Sequence, residues 1–147
     1  MARSYASTVI DAPADEVWAT IRDFNGLATW HGGLVASSEI EGGKSGDQVG
    51  GVRSFKLTDG THLREQLLSH SDAERSYSYD FQKTPFDVDN YCATIRVTPV
   101  TDGNKSFVEW WATFDCDRDK IGYWEDFFAS QVFQGGLDAL KQRFPGG

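Results

Sequence analysis

Four residues that could do chemistry together, Arg53, Glu65, Tyr79 and Tyr91, fall on the apolar side of segments in which apolar and polar residues alternate. A buried carboxylate can take or give a proton, and a guanidinium or phenol beside it can hold charge developing on a carbonyl oxygen. A small antiparallel sheet that turns such groups inward suggests a cavity. The bland alternative is a structural cross-strand ion pair with two core tyrosines whose hydroxyls are satisfied.

Parity sets which residues face inward. Tyr77, Tyr79 and Phe81 alternate with Ser76, Ser78 and Asp80, while Tyr91, Ala93, Ile95 and Val97 alternate with Cys92, Thr94, Arg96 and Thr98. Phe55 and Leu57 share a face with Leu63 and Leu67 only across a three-residue loop, Thr58-Asp59-Gly60, with Gly60 left-handed. That register sets Arg53 opposite Glu65. In the last strand, Phe107, Glu109, Trp111 and Thr113 compete with Val108, Trp110, Ala112 and Phe114 for the inside, and alternation slightly favours the second set, which leaves Glu109 in solvent.

The remaining elements frame that sheet. A strand over 4–11 leads to Pro13 and a helix with Asp15 and Glu16 in its first turn and Ala14, Val17, Trp18 and Ile21 as its buried stripe. A short second helix covers 27–31. Strands follow at about 34–41, 49–57, 62–69, 75–82, 90–99 and 106–115, joined by turn-rich segments into an antiparallel meander. One long helix runs from about 119 to 144, with Ile121, Trp124, Phe128 and Val132 continued by Phe133, Leu137, Leu140 and Phe144, and Pro145 stops it. The pair Gly135-Gly136 inside it marks either a kink or a bare patch that a ligand or the sheet can approach.

Composition narrows the function classes. At 147 residues the chain suits one domain, and 39% hydrophobic with 14% aromatic content predicts a ring-rich core. A net charge of −8 argues against nucleic acid as a partner. No segment has signal-peptide or membrane-spanning length, so the expectation is a cytoplasmic protein without membrane insertion, monomer or homodimer. Cys92 and Cys116 are offset beyond comfortable disulfide reach and read as reduced fillers. The three histidines have no ligand spacing, and neither a metal nor a cofactor is expected. Gly42-Gly43-Lys44-Ser45 imitates the end of a phosphate loop, but strands follow it and no nucleotide site is assigned.

Taken together, the segments resemble a known family. They are Ile10-Asp11-Ala12-Pro13-Ala14-Asp15-Glu16-Val17-Trp18, Trp30-His31, Gly50-Gly51-Val52-Arg53, Leu63-Arg64-Glu65-Gln66-Leu67, Asn90-Tyr91, Val108-Glu109-Trp110 and Gly136-Leu137-Asp138-Ala139-Leu140. With the element order they are similar to the bacterial polyketide cyclase/dehydrase group, the SRPBCC proteins, of the START-related, birch-pollen-allergen-like superfamily. The resemblance implies an α+β helix-grip fold: a seven-stranded curved antiparallel sheet around a long C-terminal helix, with two short helices after the first strand. It also implies an apolar pocket between sheet and helix, entered near the short second helix.

The plant abscisic-acid receptors share that architecture, and their pocket acids match Glu65 and Glu109. The resemblance therefore turns Glu109 and Trp111 inward, with Thr113, against parity. Its pocket would be lined by Trp30, His31, Phe55, Leu57 and Leu63, by Tyr79, Phe81, Phe86 and Ala93, and by Trp111, Thr113, Phe128, Val132 and Gly136. Two departures lie at the expected mouth: Gly32-Gly33 stands where the group often has Pro after Trp-His, and Thr84 to Asp89 lacks its Pro-Val pair. No lysine faces inward on the strands, which argues against Schiff-base chemistry.

The implied partner is a small hydrophobic or aromatic, carbonyl-containing molecule. In a cyclase or dehydratase version, Glu65 or Glu109 removes a proton beside the carbonyl while Arg53 or Tyr91 stabilises the enolate. The alternatives are a non-catalytic carrier or sensor, or an accessory protein-interaction module.

Overall fold

Pro13 fixes the chain's exit from the first strand, β1 (Ala2–Ile10), and its carbonyl accepts the first bonds of helix α1 (Ala14–Ile21). Ala14, Val17, Trp18 and Ile21 are buried along that helix, and Asp15 and Glu16 occupy the positive end of its dipole. The Asp23 side chain accepts the Asn25 amide and starts a tight turn into α2 (Leu27–Trp30). The computed structural model describes residues 1–145.

Six strands follow: β2 (Val35–Ile40), β3 (Val52–Leu57), β4 (His62–Ser71), β5 (Ser76–Lys83), β6 (Asp89–Val100) and β7 (Lys105–Asp115). They form a meander, and β1 pairs with β7, so the order is β1-β7-β6-β5-β4-β3-β2 with every pair antiparallel. Arg53 lies opposite Glu65, Gly60 takes a φ of 90°, and Leu57 bonds Thr61 across the three-residue loop.

On β6 the odd residues Tyr91, Ala93, Ile95 and Val97 are buried, and on β7 the even residues Val108, Trp110, Ala112 and Phe114. The four-residue turn Thr101–Asn104 joins Val100 to Lys105 and reverses parity between the two strands, pairing Ile95 with Trp110 and Val97 with Val108. The inward placement of Glu109, Trp111 and Thr113 implied by the resemblance is therefore corrected. All three lie half-buried on the outer face, where the Tyr5 hydroxyl donates to Glu109 Oε2 at 2.6 Å.

The C-terminal helix begins with a tight turn at Arg118–Lys120, continues as α3 (Ile121–Asp126), widens into a π-helical stretch (Phe127–Gln134) and ends as α4 (Gly135–Gln142). The sequence predicts uniform α-winding here. The π stretch has a physical reason: Phe128 and Phe133, five residues apart, are both buried, and wider turns bring them onto one face. The helix lies across the inner face of the sheet and is tied to β1 where the Ser4 hydroxyl donates to the Glu125 carbonyl.

Candidate functional site

The strands present Arg53 and Glu65 to the inner face with 1% and 5% of their surfaces exposed. Arg53 Nε and Nη2 both donate to Glu65 Oε1, at 2.9 and 2.7 Å, and Nη1 donates to the Phe24 carbonyl at 2.7 Å. The guanidinium sits 3.9 Å above the Phe24 ring and 4.7 Å from that of Tyr79. Three of its five N–H groups thus donate within the protein. Glu65 Oε2 accepts no hydrogen bond from the described residues.

Burial raises the Glu65 pKa above the ordinary carboxylate value, with Arg53 pulling the other way. Burial also opposes the Arg53 charge, but the Glu65 carboxylate beside it favours it, and the guanidinium stays charged. Tyr79 and Tyr91 are driven well above the usual phenol value, first by burial, and keep their protons. The Tyr79 oxygen accepts the Trp110 indole N–H at 3.0 Å.

Beside this pair lies a cavity bounded by β3 to β7, α2 and the C-terminal helix. Of the sequence-derived set, His31, Arg53, Phe55, Leu57, Leu63 and Glu65 line it, as do Tyr79, Phe81, Phe86, Tyr91, Phe128 and Val132. Trp30, Ala93 and Gly136 are buried but do not line it. Leu27, Leu34, Val35, Trp110 and Phe127 join the lining without having been singled out. Alternation along β7 already turned Trp110 inward; Phe127 arrives through the π winding, which leaves no signal in the hydrophobic period.

His31 caps α2, and its Nε2 lies 2.8 Å from the Val132 carbonyl, so that nitrogen carries the proton. Burial lowers the His31 pKa and keeps the ring neutral. Its Nδ1 and the Trp30 indole nitrogen are buried without partners. The Gly135-Gly136 patch is taken up by the protein itself: a Cβ on Gly136 would stand 2.7 Å from both His31 Cδ2 and Trp110 Cζ3.

The cavity gives the centres of water-sized molecules about 40 Å3, room for about three waters. Pockets that enclose drug-sized ligands run to roughly 300–1,000 Å3. A ring-sized guest therefore has to displace a wall, and Phe81, Phe86 and Phe127 are among its half-buried members. Phe81 already stacks on Tyr91 with centroids 4.0 Å apart and planes inclined by 22°.

With fold and cavity in place, residues 1–145 match the family model described as polyketide cyclase / dehydrase and lipid transport. The chain belongs to this family. The polyketide cyclase/dehydrase fold recurs in the protein XoxI from Bacillus cereus, at 34% identity over 98% of this chain and 96% of that one, with a TM-score of 0.85. A protein from Thermobifida fusca is similar at 31% identity over 98% and 93% of the two chains, with a TM-score of 0.87. Norcoclaurine synthase from Thalictrum flavum, solved with dopamine and hydroxybenzaldehyde, shares the fold at 16% identity over 96% and 84%, with a TM-score of 0.77. Among curated proteins none matches the chain. No helix among the described residues of this family member is long and apolar enough to cross a membrane.

Proposed function

We propose that the protein binds a small apolar or aromatic molecule in the cavity between sheet and C-terminal helix, its polar end oriented by Glu65 and Tyr91. The observation that carries this reading is a buried, charge-neutral Arg53–Glu65 pair with one carboxylate oxygen left free beside a ring-lined space. A structural ion pair gains most when both oxygens are bonded, because an unmatched buried polar atom costs about 1–3 kcal/mol. Leaving Oε2 free suits a guest. A carbonyl on the ligand would meet the Tyr91 hydroxyl, since the Arg53 N–H groups point to Glu65 and Phe24.

The test is titration with a neutral apolar fluorophore, N-phenylnaphthylamine. Saturable one-to-one binding is expected, lost when Val132→Trp fills the cavity and kept in Glu109→Gln on the outer face. Binding unaffected by Val132→Trp would place the ligand elsewhere and overturn the reading.

A catalytic version now rests on one carboxylate, because Glu109 is outside. It is favoured by the raised proton affinity of Glu65. Glu65 Oε2 would accept a proton from carbon beside the carbonyl, and the C–H electron pair would move to an enolate oxygen held by the Tyr91 hydroxyl. Return of the proton to a β-hydroxyl would release water. Glu65→Gln should then abolish turnover of any substrate identified; unchanged turnover would leave a carrier or sensor.

A further inference from the structure

The outer face of the sheet, turned away from the cavity, is ordered in rows that cross β1, β7, β6 and β5. Tyr5, Trp111, Thr94 and Ser78 make one row, and Arg3, Thr113, Cys92 and Asp80 another. Between Trp111 and Phe107 on β7 lies Glu109, beside Arg96, and Phe107 lies beside Thr98. Tyr5 is 39% exposed, and Phe107 and Trp111 are half-buried. Copies of a chain with a net charge of −8 repel one another at long range. These rows carry none of that excess, because Arg3 and Arg96 stand against Asp80 and Glu109. From this we infer that β6 and β7 form an interface between two copies of this chain, related by a two-fold axis that lies in the plane of contact and runs along the strands between them.

Such an axis keeps the height of every row while it exchanges β6 with β7 and β5 with β1. Arg96 of each copy then faces Glu109 of the other, Trp111 seats on Thr94, and Phe107 seats on Thr98. One strand further out, Arg3 faces Asp80 and Tyr5 faces Ser78. In every row, positive meets negative or large meets small, so the face is complementary to itself. The groups involved have capacity left. Glu74 takes Nη2 of Arg96, and the Tyr5 hydroxyl takes Oε2 of Glu109, which leaves further N–H groups and Oε1 for the second copy. A strongly acidic or basic partner would find no matching excess of charge here. Four strands of about eight residues give a footprint of roughly 500 Å2, below the ~800 Å2 per partner of a standard interface. The sheet also curves around the helix, which makes this face convex and contact closest at β6 and β7. The dimer is therefore weak, with a dissociation constant on the order of 10–100 μM.

Sedimentation equilibrium of the unaltered chain, from about 5 to 500 μM, brackets that range. The mean mass should rise from that of one chain towards that of two. Arg96→Glu alone and Glu109→Arg alone set like charges opposite each other, and each should weaken association about tenfold or more. An equimolar mixture of the two variants restores opposite charges at both crossings and should associate about as tightly as the unaltered chain. A chain that stays monomeric throughout overturns the proposal. Undiminished association in both variants puts the contact on another face and overturns it equally, while a mixture that fails to associate overturns the two-fold pairing. If a charge variant does not fold, Thr94→Arg, which fills the seat of Trp111, decides in its place: undiminished association there overturns the interface.

Discussion

Arg53 and Glu65 face each other across β3 and β4 almost out of contact with solvent, under the rings of Phe24 and Tyr79. Such a pair is held together more by the cost of breaking it than by net gain. Removing one partner leaves the other charge buried, which costs about 3–5 kcal/mol, whereas replacing both with apolar side chains is often neutral or better. Glu65→Gln should therefore lower unfolding free energy by about 3–5 kcal/mol, measured by urea denaturation, and Arg53→Met/Glu65→Leu should restore most of it. A double variant as unstable as the single one would mean that the pair itself supplies the stability. The pairing was legible because it follows from strand parity and one three-residue loop. What could not be read was that both strong bonds go to the same carboxylate oxygen, since that depends on where the Phe24 carbonyl and the neighbouring rings lie.

Among the elements, the C-terminal helix departs most from its sequence reading. Its two adjacent glycines looked equivalent, yet the structure separates them. A Cβ on Gly135 would make ordinary contacts, 3.7 Å from the Ser130 carbonyl and 3.8 Å from His31 Cε1. Gly135→Ala should stabilise the helix by about 0.5–1 kcal/mol through its better propensity. On Gly136 the same atom meets buried rings of His31 and Trp110, and overpacking of that kind costs about 1–3 kcal/mol. Thermal unfolding of the two variants should thus shift in opposite directions, and a gain from Gly136→Ala would show that the notch is not filled by those rings. The sequence offered a kink or a bare patch at this place. It did not reveal the occupant, because His31 reaches the helix from a residue more than a hundred positions away.

The same limit shows in β7. Alternation along the strand put Trp110 and Phe114 inside, and the structure agrees; the family resemblance put Glu109, Trp111 and Thr113 there, and the four-residue turn before the strand rules that out. Position in a motif does not override parity, because one residue of turn length moves every side chain to the other face.

At the scale of the whole molecule, the turn after β4 is clamped to the first helix. Asp72 accepts hydrogen bonds from Trp18 Nε1 at 2.8 Å and from Arg22 Nε and Nη2 at 3.0 Å. The Arg22 guanidinium, and then the Trp18 N–H, hold the Asp72 pKa down to about 2. An unfolded Asp titrates near ~3.9. The folded state therefore binds this proton later than the unfolded state, and the stability contributed by Asp72 is present above that range and lost as pH falls through about 2. His31 adds to the acid side by a different route: kept neutral by burial, it binds its proton later than in the unfolded chain, so stability also declines below the ordinary histidine range. In Asp72→Asn the loss between about pH 4 and pH 2 should be shallower than in the unaltered chain, read from urea midpoints at each pH. An identical acid profile would remove Asp72 from the account.

By itself the sequence determined the order of elements, the family, the inward parity of β3 to β6 and the opposition of Arg53 and Glu65, because these follow from local periodicity, turn length and residue type. Only the tertiary structure decided that Glu109 is on the outer face, that His31 and Trp110 fill the notch at Gly136, and that one oxygen of Glu65 stays open beside a small ring-lined cavity. The reason is physical. Periodicity states which side of its own strand or helix a residue occupies, whereas a cavity is the space left after side chains from distant segments have packed, and no local pattern encodes that remainder.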